Sequence, residues 1–287
     1  MPRLSAPRAI AFALAACALS ALGGCETMSN LLKDMDKPSA SISGVSFQDI
    51  SLNDITMLFD VDVRNPYDVP LPLVNVSYGL ASKGSKFVEG QADVQGTVPA
   101  RGKKTIQLPA KISFASLLGA VSGVKMGSVL PYRAEMGLSV DAPAVGRLTL
   151  PITKEGELPV PAVPDVSLES VEWKSLTLQN AEAALKLKVV NTNNFPLDLS
   201  KLAYSLSLGD TPIAQASLSK AAKFSKGGSG TLEIPISLKP SNLGLAAFNM
   251  LTGNNASYSL SGNMDVGTPF GSMNMPFAKN GSTKMVR

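Results

Sequence analysis

The amino-acid sequence is written twice. Shifted by 126 residues, Val45, Phe47, Ile50 and Leu52 fall on Val171, Trp173, Leu176 and Leu178. Phe59, Val61 and Val63 fall on Leu185, Leu187 and Val189, and Asn65, Pro70, Leu71 and Leu73 on Asn191, Pro196, Leu197 and Leu199. Tyr78, Gly102, Thr105, Pro109, Gly127 and Tyr132 meet Tyr204, Gly228, Thr231, Pro235, Gly253 and Tyr258. Near the end the offset becomes 125, where Leu148, Leu150 and Ile152 meet Met273, Met275 and Phe277. A self-match over roughly a hundred residues without a gap is the mark of a tandem duplication. Whatever one half folds into, the other must fold into as well.

Within each half the dominant period is two. Phe59, Val61 and Val63 alternate with Leu58, Asp60 and Asp62, and Leu185, Leu187 and Val189 alternate with Lys186 and Lys188. Val76, Tyr78 and Leu80 match Leu202, Tyr204 and Leu206, and Ala134, Met136, Leu138 and Val140 follow the same rule. Successive side chains of a strand point to opposite faces, so such runs bury one face and wet the other. Short alternating strands separated by Gly, Pro and Asn turns predict two tandem antiparallel β-sandwich domains, fibronectin III- or immunoglobulin-like, each of about seven strands. One short helix is expected per domain. Leu117, Leu118, Val121 and Val124 keep helical spacing across Phe114 to Met126, with Gly127 as a C-terminal cap. In the second half Ser241 reads as an N-cap after Pro240, with Leu243, Ala247, Phe248 and Met250 on one face and Gly253 past the end. The expected boundaries are domain 1 at 41–154, a stiff Pro-rich linker at 155–164, domain 2 at 165–278 and a C-terminal tail at 279–287.

The strand ending at Val63 runs into Asn65-Pro66-Tyr67-Asp68-Val69-Pro70-Leu71; its counterpart is Asn191-Thr192-Asn193-Asn194-Phe195-Pro196-Leu197. Asn tolerates turn conformations and bonds to its own backbone, and Pro stops a strand from pairing further. A strand leading into Asn-Pro and then Pro-Leu resembles the type 2 late-embryogenesis-abundant family, also called the WHy (water stress and hypersensitive response) domain, in both repeats. The second copy departs from the pattern at Thr192, where the family has Pro. The resemblance implies a protein associated with desiccation, cold and other stress, with no catalytic residues. Asn65, Pro66, Pro70, Leu71, Asn191, Pro196 and Leu197 are therefore expected to be structural.

The N-terminus suggests a destination. Arg3 and Arg8 precede a short apolar run, Ala9 to Leu22, that is too short to span a membrane as a helix. It ends in Leu22-Gly23-Gly24-Cys25, which resembles the lipobox of bacterial lipoproteins. Residues 1–24 are expected to be a signal peptide, Cys25 the lipidated residue, and residues 25–40 a tether. Glu26 rather than Asp points by resemblance to the outer membrane, and the periplasmic face is the expected location. Acyl chains would then supply the membrane attachment.

Chemistry is sparse. The chain has no histidine, and its two cysteines, Cys17 and Cys25, both lie in the N-terminal segment. Neither a side chain that titrates near neutrality nor a thiolate cluster is available. A formal net charge of +4, spread thinly, is no nucleic-acid signature. Ser122-Gly123-Val124-Lys125 and Ser217-Leu218-Ser219-Lys220 fit S-x-x-K but lack the companion motifs and sit at non-equivalent places. Gly227-Gly228-Ser229-Gly230 lacks the Lys-Ser/Thr of a phosphate loop and reads as a hairpin turn. Asp60 and Asp62 are replaced by Lys186 and Lys188 in the second copy, so they read as a solvated face. Met264, Met273 and Met275, with Phe270 and Phe277, read as core. No cofactor and no metal are expected. The function expected is non-enzymatic protection of proteins or membrane. The alternatives are a periplasmic carrier of lipid or another hydrophobic ligand, and a scaffold subunit of an envelope complex.

Overall fold

The computed structural model describes residues 36–143 and 145–287. The expected signal peptide, Cys25 and most of the tether lie outside these residues. Strand β2 (Asp54–Arg64) shows how the alternation works. Ile55, Met57, Phe59, Val61 and Val63 have no exposed surface, while the residues between them keep contact with solvent. Full burial of a side chain such as Phe59 contributes about 2–3 kcal/mol.

β2 pairs with β1 (Ser39–Gln48) on one side and β6 (Lys103–Ser113) on the other. Facing them is the sheet β4 (Ser85–Asp93), β3 (Leu71–Ser82), β7 (Val129–Ala142) and β8 (Gly146–Pro159), with the two-residue β5 (Thr97–Val98) paired to β3. The two inner faces and helix α1 (Phe114–Ala120) enclose one apolar core.

Domain 2 repeats the plan with β9 (Asp165–Leu176), β10 (Ala181–Val190), β11 (Leu197–Leu208), β12 (Thr211–Phe224), β13 (Ser229–Leu238), β14 (Asn255–Thr268) and β15 (Gly271–Val286). Leu185, Leu187 and Val189 are buried as their counterparts are. One connection is new. Lys284–Val286 of β15 pair in parallel with Ser170–Glu172 of β9, so all seven strands form one continuous sheet. Among the described residues no ladder joins β8 to β1 in domain 1. The expected mainly-β tandem architecture is the one observed. Cross-strand Tyr–Gly pairs recur in both copies: Tyr132 lies opposite Gly156 and Tyr258 opposite Gly281. A Cβ on Gly156 would come within 2.7 Å of the Tyr132 hydroxyl, so only glycine lets the ring lie flat on the neighbouring strand.

Several local expectations need correction. The first helix ends at Ala120, not Met126; Val121 turns extended and returns to the core, and Gly123 adopts a positive φ of 76°. In domain 2, Ser241 lies in a 3-10 turn (Pro240–Asn242) and donates its backbone N–H to Leu178. Helix α2 (Leu245–Leu251) starts instead after Gly244, whose φ is +88°. The linker is shorter than expected, because β8 runs to Pro159 and Leu158 and Val160 are both core residues. The expected tail at 279–287 is strand up to Val286. The Gly227–Gly230 segment joins β12 to β13, which lie at opposite edges of the sheet, so it is a crossover and not a hairpin. Phe270 is at the β14–β15 turn rather than in the strand pair that buries Met264, Met273, Met275 and Phe277.

Candidate functional site

The buried asparagines come first, because they shape the loops around them. Asn65 has no room for water, and its carboxamide nitrogen donates to the carbonyls of Val69, Val98 and Pro99 at 2.8, 3.2 and 3.0 Å. Its carbonyl oxygen accepts the Tyr67 N–H at 2.9 Å. Asn191 repeats the pattern: it donates to Phe195, Phe224 and Ser225 at 2.9, 3.4 and 3.0 Å and accepts from the Asn193 N–H at 3.0 Å. Each asparagine pins the loop that follows it to the crossover loop that leads into the neighbouring strand. Leu71 and Leu197 then enter the core at once. Pro66 is half-buried, and Pro70 and Pro196 stay exposed just before the strands begin. Such an amide shares its two N–H donors among three backbone carbonyls, accepts one backbone N–H, and carries out no chemistry.

The second copy's departure from the motif has a visible consequence. Asn193 is fully buried, and sequence reasoning did not single it out. Its carboxamide accepts the Ala162 N–H at 2.8 Å and donates to the Ala162 carbonyl at 2.9 Å, clasping the connection between the domains. Thr192 donates its hydroxyl to the Val163 carbonyl at 3.4 Å, and the Asn194 N–H donates to Gly127 at 2.6 Å. Gly127 has a φ of +86°, and a Cβ there would lie 2.7 Å from the Thr192 carbonyl. The signal was the replacement of Pro66-Tyr67-Asp68 by Thr192-Asn193-Asn194. Beside this clasp three aromatic rings meet edge to face: Phe270 packs 5.8 Å from Phe47 and 5.5 Å from Phe195. Ile50 touches Gly271 in the same contact.

The outward side of the four-stranded sheet is concave in both copies. In domain 1 it forms an open groove of about 1450 Å³. Lys83, Lys86, Arg133, Glu89, Glu135, Glu155 and Glu157 line it. Arg133 bridges Glu135 and Glu155 at 2.9 and 3.0 Å, and those hydrogen bonds hold its proton more firmly than usual. The corresponding groove in domain 2 is about 570 Å³, lined by Ala203, Ser205, Gln215, Ser217, Ser261 and Asn263. Five of these six stand where Ser77, Gly79, Glu89, Gln91 and Glu135 stand in the first groove. One scaffold therefore presents a face of mixed charge, with three cations and four carboxylates, and an uncharged hydroxyl-and-amide face.

Other charged groups are paired at the surface. Arg101 grips Asp68 at 2.7 and 2.9 Å, and its hydrogen bonds, then its charge, hold that carboxyl below the usual range. Asp60 and Asp62 accept hydrogen bonds from Gln107 and Thr105, consistent with a solvated face. Burial pushes the Tyr132 and Tyr204 phenols up. Among the described residues no group of three or more metal-ligating side chains converges.

The sequence profile described as late embryogenesis abundant protein matches residues 60–156 and again 186–281. The chain belongs to that family. The two matches begin 126 residues apart and end 125 apart, which is the offset of the internal repeat. Among similar late embryogenesis abundant proteins is the desiccation protectant protein Lea14 homolog of Glycine max, 29% identical over 133 residues that cover 46% of this chain and 88% of the relative. A desiccation-related protein of Craterostigma plantagineum has the same identity and coverage. A solution structure from Arabidopsis thaliana is 27% identical, covers 46% of this chain and 87% of its own, and has a TM-score of 0.39. The Glycine max and Craterostigma plantagineum relatives each correspond to about one of the two late embryogenesis abundant units.

Proposed function

We propose that the protein is a non-enzymatic, lipid-anchored envelope protein that protects other proteins or membrane when water is withdrawn. The observation that carries this reading is the uncharged concave face of domain 2. Side chains such as Ser205, Gln215, Ser217, Ser261 and Asn263 each both donate and accept hydrogen bonds. A surface of that kind substitutes for lost water on many partners without demanding one geometry. The mixed-charge groove of domain 1 offers the same service to charged surfaces. The desiccation-related names of the relatives support the reading.

The test is to dry a labile enzyme with the purified chain and with an equal mass of an inert globular protein. Greater recovery of activity with the chain is expected, and equal recovery overturns the proposal. The variant Ser259→Ala/Ser261→Ala/Asn263→Ala, altered on the exposed side of β14, is expected to protect less well. The anchor rests on Cys25 and has its own test. Cys25→Ala should move the protein out of the membrane fraction in a Gram-negative host, and unchanged fractionation removes the anchor from the reading.

A further inference from the structure

The contact between the domains is head to tail. One end of domain 1, which carries the β1–β2 loop with Phe47 and Ile50, receives the end of domain 2 that carries the Asn191 loop and the β14–β15 turn. Duplication means each domain owns both kinds of end, so one of each is left over. On domain 2 the leftover acceptor end holds Trp173, Leu176 and Leu178, the counterparts of Phe47, Ile50 and Leu52. On domain 1 the leftover donor end holds Val69 and Val145, the counterparts of Phe195 and Phe270.

These two ends carry most of the large apolar side chains exposed on the described chain. Val69 and Val145 are 47% and 45% exposed, and Leu178 and Leu245 at the opposite extremity are 43% and 69% exposed. Trp173 replaces the smaller Phe47 on the acceptor end, and Val69 and Val145 replace the larger Phe195 and Phe270 on the donor end, so both ends stay apolar. Apolar side chains gathered at two defined places, rather than scattered, mark sites of association.

We infer that the occupant is a second copy of this chain: the Val69–Val145 end of one molecule seats against the Trp173–Leu178 end of the next. The contact between molecules repeats the one that already joins the two domains within a molecule. It is heterologous, so successive copies add in one direction instead of closing as a two-fold dimer. It is also weaker than its intramolecular template. Tyr67 and Asp68 stand where Asn193 and Asn194 stand, and Asp68 is already held by Arg101. No linker crosses the junction to be clasped. Association is therefore concentration-dependent. The inference does not rest on the protective role or on the lipid anchor.

Sedimentation velocity of the full chain across a concentration series tests it. The expected result is a weight-average mass that rises through dimer to longer species. Val145→Asp and Leu178→Asp should each weaken association about tenfold or more, since each places a carboxylate at the centre of the contact. An equimolar mixture of the two variants should form a one-to-one dimer that grows no further, because only one intact junction remains. Val69→Asp and Leu245→Asp serve as the second pair should circular dichroism show that either first variant is unfolded. A monomer at every concentration overturns the inference, including one whose donor end is covered by its own N-terminal residues. So does association that both variants leave intact, or a mixture that stays monomeric.

Discussion

The Asn193 carboxamide and the backbone of Ala162 form a closed two-bond ring, the nitrogen donating at 2.9 Å and the oxygen accepting at 2.8 Å. A buried side chain of domain 2 thereby reads the main chain that leaves domain 1. Asn193→Ala removes both bonds and the further donation to Asn191. Domain 2 should lose about 1–3 kcal/mol, because the stranded Ala162 N–H and carbonyl lose their partner, while the Asn191 oxygen keeps the residue-193 backbone N–H. Calorimetry should also show the two domains melting further apart than in the wild type.

Asn65→Ala and Asn191→Ala should each cost about 3 kcal/mol in their own domain, since three buried or part-buried carbonyls and one N–H lose the same partner at once. Asp is expected to rescue neither, because a carboxylate cannot donate to those carbonyls. Urea unfolding of each variant measures the loss. Near-equal losses at the two positions are expected from the near-identity of the networks.

Phe270→Ala should act on the junction and spare the core. The ring leaves two edge-to-face contacts worth about 1 kcal/mol each. The chain has a single tryptophan, Trp173, buried in domain 2 and at its far end. Its fluorescence should report an almost unchanged unfolding midpoint, while small-angle scattering should show a wider spread of domain orientations.

Stability should be level across the neutral range and fall at both extremes. Asp68 and Asp54 have lowered carboxyl values through hydrogen bonds from Arg101 and from Lys111 and Ser51. Groups depressed in the folded state stabilise it above about pH 4 and lose that contribution as acid protonates them. Tyr132 and Tyr204 are raised by burial, and Lys186 and Lys279 by the hydrogen bonds they donate to Glu172 and Asp165. Groups raised in the folded state stabilise it fully below about pH 10, and the contribution is lost as pH climbs further. With no histidine in the chain, no side chain has its ordinary value near pH 6–7. Thermal melts from pH 3 to 11 read the profile, and a step near pH 6–7 would contradict it.

The strands were legible because their alternation is regular: Phe59, Val61 and Val63 are all inward, and so are Leu185, Leu187 and Val189. The helices were less so. Seven-residue helices beside glycines carry too few turns for periodicity to fix their ends, and Val121 satisfied a helical spacing while serving the core in extended form. The β8 and β15 termini were misjudged because Pro159 and the polar Lys279–Lys284 stretch look like linker and tail, although the partner strand decides their pairing. Asn193 escaped notice because its role depends on where the first domain's exit runs, which no local pattern encodes. The grooves were not foreseen either, since the curvature of a twisted sheet sets them and no motif does.

The bond between β15 and β9 has a mechanical consequence. Prising the layers of domain 2 apart on that side means rupturing main-chain bonds, whereas among the described residues no ladder joins β8 to β1 on the equivalent side of domain 1. The twin halves thus differ in compliance, and under load or warming the first half yields before the second.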